Sequence, residues 1–324
     1  LIFGHGFVMA WSSYDNIWKD LVMQGYLVCF PRTEGGTSPS HTDFGKDLAL
    51  LQSKMEGLNS LAASPFFNSM TTKVAIMGHS MGGGSSFLAC AGNSNPTTMV
   101  TFAAANTNPS AIAVASQITI PTLIIAGQND CVAPPAKNQD SLYIKCGALC
   151  KAEVTITGAA HCEFANSNTA CSFGESTCSP KPAISAARQQ SIASIYYSNW
   201  LKYWLKGDCT AWNLLLDSLN NSQGIVKQMT CSKACTATGI ATSDDMRQII
   251  LAPNPTDGML QVSLKNPETL SVDILEYSGK KINTFNYTEV SEFTVNVSDY
   301  SKGLYFMVLR NAKAEPKVFK FIRN

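Results

Sequence analysis

Ser80, Asp130 and His161 are spaced as a nucleophile, the acid that orients its base, and the base itself would be. Ser80 lies in Ile76-Met77-Gly78-His79-Ser80-Met81-Gly82-Gly83-Gly84, where an apolar run stops at glycines on either side of a hydroxyl. A serine hydroxyl attacks poorly until a base takes its proton, and the base needs a third group to fix its tautomer. His161 is the only histidine downstream of Ser80 and stands in the small-residue stretch Thr157-Gly158-Ala159-Ala160-His161-Cys162. Asp130 closes the run Ile120-Pro121-Thr122-Leu123-Ile124-Ile125-Ala126-Gly127-Gln128-Asn129-Asp130. Of the rival acids, Asp140 falls on a predicted helix, and Glu163 is too near His161 in sequence to approach it easily.

Such groups need elements to aim them. A short apolar strand before Ser80 and a small-residue helix after it would make a sharp turn that exposes the hydroxyl, with Gly78 and Gly82 leaving room where side chains would clash. The helix start also points backbone N–H groups at the site, where negative charge would develop. One oxyanion donor is expected from Met81, the other from Phe7 after Gly4-His5-Gly6, with the Phe7 ring flooring the acyl pocket. His5 reads as a loop-orienting residue, His79 as a wall of the cleft, and His41 as a helix-start residue without chemistry.

Strand and helix signals alternate through the first two hundred residues. Strands are expected at 1–3, 26–30, 74–77, 99–102, 122–126 and 154–156. Helices are expected at 14–23, capped by Ser13 and closed by Gly25, at 41–55, and at 183–205. This alternation predicts a parallel sheet with helices on both faces, whose ligands bind at the carboxyl ends of the strands. After Lys206 the pattern changes to a closing segment containing three cysteines, and from Ile249 to a period of two, as in Leu260/Val262/Leu264 and Phe293/Val295/Val297. That predicts a small antiparallel sandwich. The division is 1–235 for the catalytic part, 236–248 for a linker and 249–324 for the sandwich, without internal repeats.

A net charge of +1 gives no electrostatic case for nucleic acid, and no stretch of about 18 apolar residues is present to span a membrane. The first residues look like the inside of a strand, so the chain reads as a fragment lacking leading strands, and the absence of a signal peptide carries no information. Eleven cysteines indicate an oxidising compartment. The two C-x-x-x-C pairs, Cys146/Cys150 and Cys231/Cys235, have no histidine nearby, so neither metal nor cofactor is expected.

Gly78-His79-Ser80-Met81-Gly82-Gly83-Gly84, Pro121-Thr122-Leu123-Ile124 leading to Asn129-Asp130-Cys131-Val132-Ala133-Pro134, and Gly158-Ala159-Ala160-His161 together resemble bacterial cutinases and polyester (PET) hydrolases of the dienelactone-hydrolase-like branch. The resemblance covers about residues 1–205 and implies an α/β-hydrolase fold. It also implies an aromatic clamp at Phe7 and a small apolar cleft residue at Val132. Two departures stand out: Ala105-Asn106-Thr107-Asn108-Pro109 replaces the region of the family's cleft tryptophan, and Gly127 replaces the first cysteine of its loop disulfide. Cys131 and Cys162, which directly follow Asp130 and His161, are expected to bridge the two loops instead. Cys146–Cys150, Cys171–Cys178 and Cys209 with Cys231 or Cys235 are the remaining expected pairs, with Cys29 and Cys90 as buried thiols. The C-terminal part resembles the type IX secretion (Por) sorting domain of Bacteroidota, through Pro253-Asn254-Pro255-Thr256-Asp257-Gly258, Gly303-Leu304-Tyr305-Phe306 and Lys317-Val318-Phe319-Lys320-Phe321-Ile322. This implies handling by that secretion machinery and a secreted or surface location.

The expected function is a secreted serine carboxylester hydrolase, monomeric, acting through an acyl-enzyme on aliphatic or aromatic polyesters. Its alternatives are a lipase or esterase for small soluble esters, a peptidase on the same scaffold, or a surface binding protein with a vestigial triad.

Overall fold

The computed structural model describes residues 1–92, 96–231, 249–276, 280–311 and 314–324. The chain divides into two compact units, Leu1–Thr236 and Ala237–Asn324. The linker expected at 236–248 lies outside the described residues.

The first unit is built on six strands in sequential order, β1 (Ile2–Gly4), β2 (Ala75–His79), β3 (Thr98–Phe102), β4 (Thr122–Gly127), β5 (Lys151–Ile156) and β6 (Ile225–Thr230). The first five are parallel, and β6 runs antiparallel to β5. Every residue of β2, β3 and β4 is buried, as continuous apolar runs in a sheet covered on both faces should be. Helices are α1 (Asp15–Met23), α2 (His41–Ser60), α3 (Met81–Gly92), α4 (Ala111–Val114), α5 (Gln139–Lys145), α6 (Thr169–Glu175), α7 (Ala186–Lys206) and α8 (Cys209–Asn221). The α/β-hydrolase fold expected from the sequence is the fold observed.

Several local expectations change. Residues 26–30 do not form a strand; they touch β1 through a single bridge, with the Cys29 N–H donating to Leu1 O and the Phe3 N–H to Cys29 O. The next ladder bond would need an N–H at Pro31, which has none. Ser13 caps nothing: a 3-10 turn at Trp11–Tyr14 precedes α1, and the Ser13 hydroxyl accepts from Asn168 instead. Ser40, Ser185 and Asp208 do cap α2, α7 and α8, each accepting a backbone N–H three residues on. The closing segment holds α8, which buries Ala211, Trp212, Leu215 and Leu219 at helical spacing, and the edge strand β6.

The second unit is a sandwich-like antiparallel sheet of β7 (Ile249–Ala252), β8 (Met259–Glu276), β9 (Lys281–Asn296), β10 (Gly303–Asn311) and β11 (Ala314–Arg323). The long β8 pairs with β9 along one edge and with β7 then β10 along the other, breaking register between Ser263 and Glu268. Leu260, Val262, Val272, Ile274, Val295, Val297, Met307 and Phe321 close the core, the alternate residues that the period of two marked.

Candidate active site

Ser80 follows β2 directly and adopts a left-handed backbone, φ 55°, which strains a residue bearing a Cβ by about 1–2 kcal/mol. The turn is held from both sides: the Ser80 N–H donates to Phe102 O at 2.9 Å, and Ser80 O accepts from Ala105 N–H at 3.0 Å. Its sharpness leaves no room for neighbours. A Cβ on Gly78 would lie 2.3 Å from Gly82 O, and one on Gly82 would lie 2.2 Å from Gly4 O.

Asp130 ends the loop leaving β4, and His161 ends the loop leaving β5, so all three side chains meet at the carboxyl ends of the parallel strands β2, β4 and β5. His161 Nδ1–H donates to Asp130 Oδ2 at 2.7 Å, which leaves Nε2 to accept the Ser80 hydroxyl at 2.8 Å. The other carboxylate oxygen of Asp130 accepts from Ala133 N–H at 2.7 Å. Asp130 and His161 are buried, and Ser80 is at the edge of exposure. Such a chain can pass the serine proton to the imidazole while the carboxylate stabilises the cation that forms.

Among the described residues, the N–H groups of Phe7 and Met81 have no hydrogen-bond partner, and Met81 opens α3. Both residues line, with Ser80, an open cavity of about 340 Å³ whose other walls are Pro39, His41, Ala105, Asn106 and Thr107. The Phe7 ring is half exposed. His41, expected only to start a helix, does so and also lines this cavity, its Nδ1 accepting from Asn108 N–H at 3.0 Å. Asn106, in the stretch where the tryptophan is missing, is fixed by accepting from Ser110 and Ile112. Val132 is exposed on the acid loop but is not a wall of this cavity.

His79 is a correction. It is fully buried and cannot line the cleft. As the last residue of a strand covered on both faces, it has only an interior to point into. Its Nε2–H donates to His161 O at 3.0 Å, and its Nδ1 accepts from the Tyr14 hydroxyl at 3.0 Å, which in turn accepts from Gly6 N–H at 2.8 Å. Burial first, then the neighbouring His161, brings His79 down to about 3, so it stays neutral as these bonds require. Tyr14, also buried, is pushed well above the usual phenol range by desolvation. These bonds tie the Gly6–Phe7 loop to the His161 loop. No sequence pattern marked Tyr14.

Sequence reading also missed the supports of His161. Glu175 Oε1 accepts from the N–H groups of His161 at 2.7 Å and Cys162 at 3.3 Å. Gln189 on α7 both donates to and accepts from the Ala160 backbone, at 2.8 and 3.0 Å. The predicted disulfides are overturned: Cys131 pairs with Cys178, Cys162 with Cys171, and Cys150 with Cys231. Thus Cys131–Cys162, Cys146–Cys150 and Cys171–Cys178 do not form, and Cys146 is a buried free thiol. Cys171 and Cys178, both in the segment 165–178, take the cysteines that follow His161 and Asp130. Cys29 and Cys90 are free, as expected, but only partly buried. Cys209 is disulfide-bonded, but not to Cys231; Cys235 lies outside the described residues. Among the described residues no three His, Cys, Asp or Glu side chains are grouped to hold a metal ion, and no helix is long and apolar enough to cross a membrane.

A serine on a strained strand-to-helix turn, at the carboxyl ends of a parallel sheet beside a hydrogen-bonded histidine and aspartate, defines a hydrolase of the α/β-hydrolase fold. The chain belongs to the PET hydrolase-like family, whose model matches residues 1–234, and it is a hydrolase of that type. Residues 251–323 match the secretion system C-terminal sorting domain, which marks the protein for type IX secretion, to be released or attached at the cell surface. A search of the curated proteins found no match.

Proposed function

We propose that the protein is a serine carboxylester hydrolase that cleaves polyester chains outside the cell. Ser80 Oγ attacks the ester carbonyl as His161 Nε2 takes its proton, and Asp130 holds the imidazole through Nδ1–H. The oxyanion is met by the N–H groups of Phe7 and Met81. The imidazolium then protonates the leaving alkoxide, and a water deprotonated by His161 releases the acid from Ser80. The carrying observation is the Ser80–His161–Asp130 chain of 2.8 and 2.7 Å bonds, whose Ser80 end lines an open cavity together with Phe7 and Met81 and their two free N–H groups. A half-exposed Phe7 at its mouth favours a long substrate lying across the surface.

A second reading, hydrolysis of small soluble esters, is favoured by Asn106, Thr107 and His41 walling the cavity where an aromatic platform would grip a polymer. Both are tested by following p-nitrophenyl esters from acetate to long chains beside release from an amorphous polyester film, with Ser80→Ala as control. Serine-dependent release from the film supports the polyester reading. Turnover of soluble esters alone supports the second, and absence of both activities refutes both readings.

A further inference from the structure

In α6, Thr169–Glu175, one residue is buried, and it is a glutamate. Phe173 of the same helix is exposed. A surface helix normally turns apolar side chains inward, and a glutamate is rarely buried without a partner. Among the described residues the Glu175 carboxyl makes no ion pair, and Lys181 Nζ reaches only its backbone carbonyl, at 3.5 Å; Glu175 Oε1 accepts two successive backbone N–H groups, those of His161 at 2.7 Å and Cys162 at 3.3 Å.

The rest of the His161 surroundings gives that contact its meaning. The His161 carbonyl accepts from His79 Nε2–H, and the preceding Ala160 peptide is held by Gln189. Glu175 therefore completes a frame around the His161 backbone, while Asp130 acts only on its ring. The helix bearing Glu175 is fastened by covalent bonds where it lacks a core. Cys162, next to His161, bonds Cys171, and Cys131, next to Asp130, bonds Cys178, three residues past Glu175. Nearby Glu163 is raised above the usual carboxyl range by burial and then by the charge of Glu175.

We propose that Glu175 is a positioning residue for His161, delivered by a surface helix that two disulfides fasten to the acid and base loops. The inference rests on the reading of His161 as the base.

The test compares wild type, Glu175→Ala, Glu175→Gln and Ser80→Ala with two probes. One is p-nitrophenyl butyrate. The other is a p-nitrophenyl alkylphosphonate, which reports activation of the serine without requiring ester turnover. Glu175→Ala is expected to lower kcat about tenfold or more, as a displaced catalytic group does, with KM within about twofold, and to slow phosphonylation equally. Glu175→Gln keeps an oxygen that accepts the same two N–H groups and should recover most of the loss. A purely structural role would lower the melting temperature and leave kcat in the folded variant alone. That result overturns the proposal, as does a Gln variant as impaired as Ala. Should Glu175→Ala fail to fold, Glu175→Asp decides: its shorter carboxylate cannot reach both N–H groups, so a matching fall in kcat supports the proposal and wild-type kcat refutes it. Serine-dependent phosphonylation without ester turnover would sink the ester reading alone, and the phosphonylation rates of the variants would then decide on Glu175. Wild type inert to the phosphonate would sink both.

Discussion

Replacing Glu153 with glutamine should remove a loss of stability that the wild-type protein suffers as the solution becomes alkaline. Glu153 lies in the middle of β5, 1% exposed, with Oε2 accepting from Gln228 at 3.1 Å. Burial, and then the charge of Asp140, push its carboxyl from 4.5 up to about 8. Between those two values the native protein holds a proton that the unfolded chain has released. The stability this confers is complete below about 4.5 and is lost as the pH rises through about 8. At about 1.4 kcal/mol per unit, a displacement of roughly 3.5 units sets an upper limit of about 5 kcal/mol, which movement of Asp140 and entry of water would reduce to about 2–3 kcal/mol. Urea unfolding followed by tryptophan fluorescence reads this cleanly, because all five tryptophans lie in the hydrolase unit. Wild type should lose stability between pH 5 and 9 more steeply than Glu153→Gln by about that amount, and the variant should be the more stable at pH 9. Parallel profiles for the two proteins would refute the reasoning.

Two further substitutions test the frame. Gly82→Ala puts a Cβ 2.2 Å from Gly4 O and must push aside the loop that carries Phe7, so urea unfolding should show a loss of about 3 kcal/mol, with kcat falling in whatever folds. Replacing Cys150 and Cys231 together by serine opens a disulfide spanning 81 residues, beside the β5–β6 pair, and should cost about 4 kcal/mol in the same assay.

The parts of this protein that sequence revealed are those governed by local rules. Continuous apolar runs marked the central strands because both faces of the sheet are covered, and a period of two marked the sorting unit because only one face of each strand is. The glycines around Ser80 were legible because the turn is tight enough that a Cβ would collide with backbone. The closing segment misled because its cysteines and polar residues concealed the spacing of Trp212, Leu215 and Leu219 on α8. Residues 26–30 misled in the opposite sense, for β-propensity cannot supply the N–H that Pro31 lacks.

The misreadings at the site share a physical cause: adjacency in sequence was taken for adjacency in space. His79 neighbours Ser80, yet it ends a buried strand while Ser80 turns out of it with a left-handed backbone, so His79 meets the His161 backbone from the interior and Ser80 meets the His161 ring. Cys131 and Cys162 neighbour two residues whose side chains touch, yet each finds its sulfur partner in a third segment, at Cys178 and Cys171. That segment carries Glu175 back onto the His161 backbone, so the disulfides connect the acid and base loops through a carboxylate instead of directly. A bridge between Cys131 and Cys162 would have fixed the distance between the loops and nothing more. Two bridges to the α6 segment fix a hydrogen-bond acceptor as well, and the orientation of the His161 peptide then depends on a helix with almost no core of its own.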